Sequence, residues 1–144
     1  SEFNLSRMKY LTNFSNDIGL SDHSNFERDG IIASAAAIYL GASYIERHFT
    51  ILPSDNTKDG PVSITQDGLS SLSAFSAMSK SDQQDILSGL CPEWQSLLLG
   101  SPQRCLSSDE LLNRDYYRGR FASNFLDKLG NQRTVYNWEE SLIQ

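Results

Sequence analysis

Two periodicities alternate along the chain. Leu5, Met8 and Leu11 recur at helical spacing and predict a short helix over about Leu5–Asn13, with Asn4 as its cap and Lys9 towards its C-terminal end. Asn16–Ser21 reads as a short strand that runs into the polar cluster Asp22-His23-Ser24-Asn25. Asp29 is placed to cap a helix over about Gly30–Leu40. Ile31–Leu40 is apolar nearly all round, as expected of a helix packed against a sheet. Gly41 stands where a C-terminal glycine stops a helix, and Ala42–Phe49 follows as a second strand around Tyr44 and Ile45.

Strand, helix and strand with tight connections make a βαβ unit with parallel strands and a right-handed crossover. The helix before it implies a further strand before Asn4. Residues 51–65 are a loop rich in Pro, Asp, Asn and Gly, after which Thr65 caps a helix over about Gln66–Met78, weakened by its many serines. Ser81–Leu87 reads as helical. Gly89–Pro102 reads as loop around a short helix at Trp94–Leu99. Ser107 and Glu110 have capping-box spacing, predicting a helix over about 108–114. Tyr116–Ala122 and Arg133–Trp138 read as strands of a hairpin turning at Gly130-Asn131. Phe75, Met78 and Trp94 are expected in the core. No internal repeat is visible.

The net charge of −6 argues against nucleic acid as a partner. Tyr116-Tyr117-Arg118-Gly119-Arg120-Phe121 interleaves aromatics with arginines, a pattern that can stack on nucleic acid. With no further basic cluster, an amphipathic strand is the preferred reading. No apolar run is long enough to span a membrane. The start, Ser1-Glu2-Phe3-Asn4, shows no basic region followed by an apolar one, so no secretory leader is expected. Cys91 and Cys105 match no zinc or redox spacing and read as reduced thiols of a cytoplasmic protein.

Histidine changes the picture. There are two, His23 and His48, and each falls at the C-terminal end of its strand, the end that carries the site in parallel sheets and barrels. Neighbouring strands bring the two imidazoles together. Two neutral imidazoles can ligate a divalent metal and leave positions open for water and substrate. Asp22 and Glu46, beside them, are candidate anchors or proton acceptors. The alternative is that both histidines are hydrogen-bonded structural residues.

Gly19-Leu20-Ser21-Asp22-His23-Ser24, an Ala-rich helix and then Ile45-Glu46-Arg47-His48-Phe49-Thr50 resemble the sialic acid synthase family: N-acetylneuraminate synthases and their legionaminate and pseudaminate relatives. The resemblance covers about residues 3–80. It implies an α/β fold, the C-terminal portion of a (β/α)₈ TIM barrel holding its last two strands and their helices, over residues 1–80. Residues 81–144 would form a helical linker and a C-terminal β-hairpin.

The resemblance also implies condensation of phosphoenolpyruvate with an N-acetylated amino sugar such as N-acetylmannosamine, with release of phosphate. His23 and His48 would hold manganese or magnesium. Ser21 would touch phosphoenolpyruvate, and Glu46 and Asp22 would be the site's carboxylates. Many members carry Gly-Pro-Asp after the last strand, the Asp contacting the sugar. Here Val62 follows Pro61, and Asp59, before Gly60, is the candidate for that contact. The family's C-terminal antifreeze-like domain, which reaches into a partner's site in a homo-oligomer, is not recognisable in residues 100–144.

A complete barrel takes about 250 residues, and this chain has 144. It is therefore expected to be the C-terminal piece of a longer enzyme, or to need a partner chain, and to be inactive alone. The competing expectations are a non-catalytic interaction or regulatory module that keeps barrel elements, and a metal-dependent aldolase or hydrolase on another barrel.

Overall fold

The computed structural model describes residues 3–118 and 123–135. The described chain divides into two compact units, up to Gln103 and from Arg104 onwards.

The first unit is built around one small-residue helix. Helices α1 (Ser6–Leu11), α2 (Phe26–Asp29), α3 (Ile32–Tyr39), α4 (Gln66–Ser76), α5 (Lys80–Leu90) and α6 (Trp94–Leu98) accompany strands β1 (Gly19–Ser21) and β2 (Tyr44–Glu46). The strands pair in parallel, with Leu20 opposite Ile45 and Ser21 opposite Glu46. The expected βαβ unit is thus present and the fold is α/β. Ala33 to Ala37 of α3 are all buried, and the helix packs against α4, α5, α6 and both strands. Alanines let that many neighbours approach one helix, because no side chain holds them off. Around it Leu5, Met8, Ile18, Ile64, Leu72, Phe75, Leu87, Trp94 and Leu98 close one core.

Gly41, at φ 99°, ends α3 as expected. Its N–H donates to Ile38 and that of Ala42 to Ala37, the paired bonds of a Schellman turn. Lys80 Nζ donates to the last carbonyls of the same helix, Ile38 (3.2 Å) and Tyr39 (2.5 Å).

Two expected caps are displaced. Asn4 does not begin α1. The amides of Leu5 and Ser6 donate to the carbonyls of Leu98 and Leu99, both at 2.8 Å, while Asn4 Oδ1 accepts from the Ser101 amide. The free end of one helix thus satisfies the free end of another. Asp29 does not cap α3 either. It is the last residue of α2, whose cap is Asn25, accepting from the Arg28 amide. Thr65 caps α4 as expected, but the helix stops at Ser76. Met78, beyond it, is 39% exposed, unlike Phe75 and Trp94, which are buried as expected.

The boundary expected at residue 80 falls inside this unit. Leu87 of α5 and Trp94 and Leu98 of α6 share the core of α3, so these helices are part of its packing rather than a linker.

In the second unit Ser107 and Glu110 form the expected capping box. Glu110 accepts from the Ser107 amide at 2.7 Å and Ser107 Oγ from the Glu110 amide at 3.3 Å. Helix α7 (Ser108–Arg118) runs through Tyr116, where a strand is expected. A capped start makes each further helical residue cheaper than a new strand. Antiparallel strands β3 (Ser123–Leu126) and β4 (Gln132–Val135) form the hairpin. Gly130, at φ 82°, lies in its turn, and Asp127 Oδ1 accepts from the amides of Leu129 and Asn131. Residues 119–122 and 136–138 of the expected strands lie outside the described residues. Among the described residues, no helix is long and apolar enough to cross a membrane.

Two outcomes follow. Leu87→Ala empties a fully buried site and is expected to lower stability by about 2–5 kcal/mol in denaturant unfolding. In α7 the Arg104 guanidinium, with the Ser107 amide and hydroxyl, holds the Glu110 carboxyl down to about 2. A lowered carboxyl stabilises the fold above its unfolded value and loses that effect as pH falls through its folded value. The Ser107 amide NMR shift should therefore hold steady from pH 7 to about 4.5 and move only as pH falls towards about 2.

Candidate metal and substrate site

Strand alternation builds the site. Successive side chains of a strand point to opposite faces. Leu20 and Ile45, opposite each other, pack towards the core, while Gly19, Ser21, Tyr44 and Glu46 lie on the exposed face. One step further along, Asp22 and Arg47 continue the inner side. His23 and His48 continue the outer one.

On the inner side the two charges meet. Arg47 Nη1 lies 2.9 Å from Asp22 Oδ2, the side chains being 3% and 0% exposed. Ser34 Oγ donates to Asp22 Oδ2 at 2.5 Å and the Ser24 amide to Oδ1 at 2.9 Å. Arg47 also donates to the carbonyls of Gly30 (3.1 Å) and Ser24 (3.2 Å), and its guanidinium lies 5.4 Å from the centre of the Phe26 ring. Its Nε is buried without a hydrogen-bond partner. Burial pulls the guanidinium below its ordinary range, against the opposing charges of Asp22 and Asp29. Removing one partner of such a buried pair costs about 3–5 kcal/mol, because the other charge stays behind uncompensated.

On the outer side His23 Nε2 and His48 Nε2 are 3.2 Å apart. The Nδ1 atoms face elsewhere: that of His23 lies 3.4 Å from Ser21 Oγ and that of His48 lies 3.8 Å from Asp59 Oδ2. In the tautomer that carries its proton at Nδ1, each imidazole presents its Nε2 lone pair to the same point. Two nitrogens each about 2.1 Å from one ion, at an angle of about 100°, are roughly 3.2 Å apart. The pair therefore fits two adjacent positions on a single cation. Among the described residues, no third His, Cys, Asp or Glu completes the set.

The loop after β2 brings Asp59 into this group. Ile64 pairs with Phe49 in parallel, its amide donating to the His48 carbonyl at 2.7 Å and its carbonyl accepting from Thr50. Between them lie two 3₁₀ turns, Ser54–Asn56 and Gly60–Val62. They press together so closely that a Cβ on Gly60 would run into the backbone of Ser54.

Ser21, His23, His48 and Asp59 are thus brought together. Glu46 is exposed on the same face, and among the described residues its carboxylate makes no hydrogen bond or ion pair. Asp22, expected as an anchor or a proton acceptor, lies on the opposite side from the imidazoles with its carboxylate enclosed in hydrogen bonds, a placement that matches the anchor. Arg47 stands in the sequence only as the basic residue between Glu46 and His48; the alternation of β2 is the signal for its position, on the same face as Ile45 and across from Asp22.

The NeuB family model matches residues 1–85, more than half of the chain, and the chain belongs to the NeuB family. The resemblance to the sialic acid synthases drawn from the two histidine motifs is thereby borne out. A crystal structure of the spore coat polysaccharide biosynthesis protein SpsE from Bacillus subtilis is similar in fold, with a TM-score of 0.58 and 24% sequence identity. The likeness covers 93% of this chain and 38% of that one, so the chain spans well under half the length of that protein. No curated protein matches the chain.

Gly60→Ala tests the loop. It should lower stability by about 1–3 kcal/mol, the usual range for a forced steric fit. It should also shift the His48 ring NMR signals more than those of His23, since Asp59 adjoins His48 alone.

Proposed function

We propose that the chain is the C-terminal part of the catalytic barrel of a sialic acid synthase-type enzyme. Such an enzyme condenses phosphoenolpyruvate with an N-acetylated amino sugar, such as N-acetylmannosamine, and releases phosphate on the way to a nonulosonic acid. The observation that carries the reading is the convergence of two Nε2 atoms at the ends of adjacent parallel strands.

His23 and His48 would hold manganese or magnesium. The ion, when bound, polarises the sugar aldehyde and so favours attack on its carbon. Ser21, on the same face, is placed to donate a hydrogen bond to phosphoenolpyruvate. Glu46 supplies an unpaired carboxylate able to accept a proton or a sugar hydroxyl. Asp59, whose Oδ2 lies 3.8 Å from His48 Nδ1, would meet the sugar.

The open face of the sheet supports the partial-barrel reading. Parallel sheets are ordinarily covered on both sides, yet here α3 covers one and Tyr44 on the other is 66% exposed. The remaining strands and their phosphoenolpyruvate-binding groups would come from the rest of a longer chain or from a partner chain, within a homo-oligomer, in the cytoplasm. A non-catalytic module that keeps barrel elements is the second reading, and among the described residues the absence of a third metal-binding side chain beside the two imidazoles is what favours it.

Manganese titration of the whole chain, followed by electron paramagnetic resonance, separates the two. The enzyme reading expects saturable binding that His23→Ala and His48→Ala abolish. A chain with no manganese affinity overturns it. With phosphoenolpyruvate, manganese and N-acetylmannosamine, the chain alone is expected to release no phosphate.

A further inference from the structure

The two histidines sit where the backbone no longer holds the strands together. The ladder between β1 and β2 ends with the Asp22 amide donating to the Glu46 carbonyl at 2.9 Å. Among the described residues, no later backbone hydrogen bond joins the segment of His23 to that of His48. Besides the contact of the two imidazoles themselves, one side chain joins them. Arg47 directly precedes His48, and Asp22 directly precedes His23. Arg47 reaches from the end of β2 to Asp22 and Ser24 on the other strand end, and to Gly30 before α3.

We infer that Arg47 is a positioning residue for the histidine pair: its buried cation, seated on Asp22, ties the two strand ends together and so keeps the imidazole nitrogens within reach of one metal ion. The anchor is stiff at both ends. Asp22 is fixed by Ser34 of the core helix α3 and by the Ser24 amide, and the guanidinium is packed against Phe26. One backbone step separates each charge from its imidazole, so a shift of the ion pair passes directly to the Nε2–Nε2 distance. Glu46 and Ser21, in register on the open face, are held by the ladder itself and do not need the pair.

The inference rests on reading the histidines as a metal pair, and the test separates the two. The chain contains two histidines in all, so selective ¹³C labelling of histidine gives two ring systems. Their centres lie 5.0 Å apart, close enough for a through-space NMR cross-peak. The whole chain is compared with Arg47→Met and Arg47→Lys, reading the cross-peak, manganese affinity and the thermal transition together.

The native chain should show the cross-peak. Arg47→Met should lose it and bind manganese about tenfold or more weakly, the usual effect of removing an outer partner of a metal ligand, while still unfolding cooperatively. Arg47→Lys should recover the cross-peak, because an ammonium group still meets Asp22. Persistence of the cross-peak and of the affinity in Arg47→Met overturns the inference. So does a loss in Arg47→Lys equal to that in Arg47→Met, and so does its absence from the native chain. If Arg47→Met does not fold, Asp22→Asn/Arg47→Met, which leaves no lone buried charge, replaces it with the same two outcomes. A native chain that shows the cross-peak but binds no manganese overturns the metal reading, and the variants still decide the positioning role.

Discussion

A single buried ion pair decides what the ends of β1 and β2 can do. Arg47 and Asp22 lie on the core side of the sheet, out of water, at the step where the strand ladder stops. Burying two charges is unfavourable unless their remaining hydrogen-bonding capacity is met. Here Ser34, the Ser24 amide and two backbone carbonyls meet most of it. The same arrangement cannot slide by one residue. A one-residue slip of β2 against β1 would turn Arg47 to the open face and His48 towards the core while Asp22 stayed inside, because side chains alternate strictly along a strand. The pair therefore fixes register as well as spacing.

That constraint reaches back into the core. Ser34 sits in the run of small residues that lets α3 pack against three helices and two strands. It is a hydroxyl in an alanine stretch, buried because it has an anionic partner. The core helix and the site are thus joined through one hydrogen bond, from Ser34 to Asp22. A sequence selected only for a tight helix would have alanine there and would leave the carboxylate short of a donor.

What was legible in the sequence follows from the range of each interaction. The βαβ unit, the Gly41 stop, the Thr65 cap and the Ser107–Glu110 box are local, and each is visible in a few consecutive residues. The pairing of His23 with His48 was legible too, since it needs only that two short strands be neighbours. The failures share a cause. Asn4 looks like a cap until Leu98 and Leu99, distant in sequence, supply the acceptors. Asp29 looks like the start of α3 because the four-residue α2 before it is too short to announce itself by periodicity. Asp22 looks like site chemistry because it adjoins a histidine, but alternation along the strand turns it to the opposite side, where it is buried.

The first unit has a core of its own, yet within its described residues nothing covers the outer face of the sheet. Tyr44 and Glu46 stand in solvent on the face that carries the imidazoles, and each strand has a free edge. Bare parallel edges pair with other strands wherever those are supplied. The site residues are therefore prearranged on an open surface. The ion pair makes that arrangement independent of anything that covers the outer face, because Asp22, Ser24, Ser34 and Arg47 lie on the inner side.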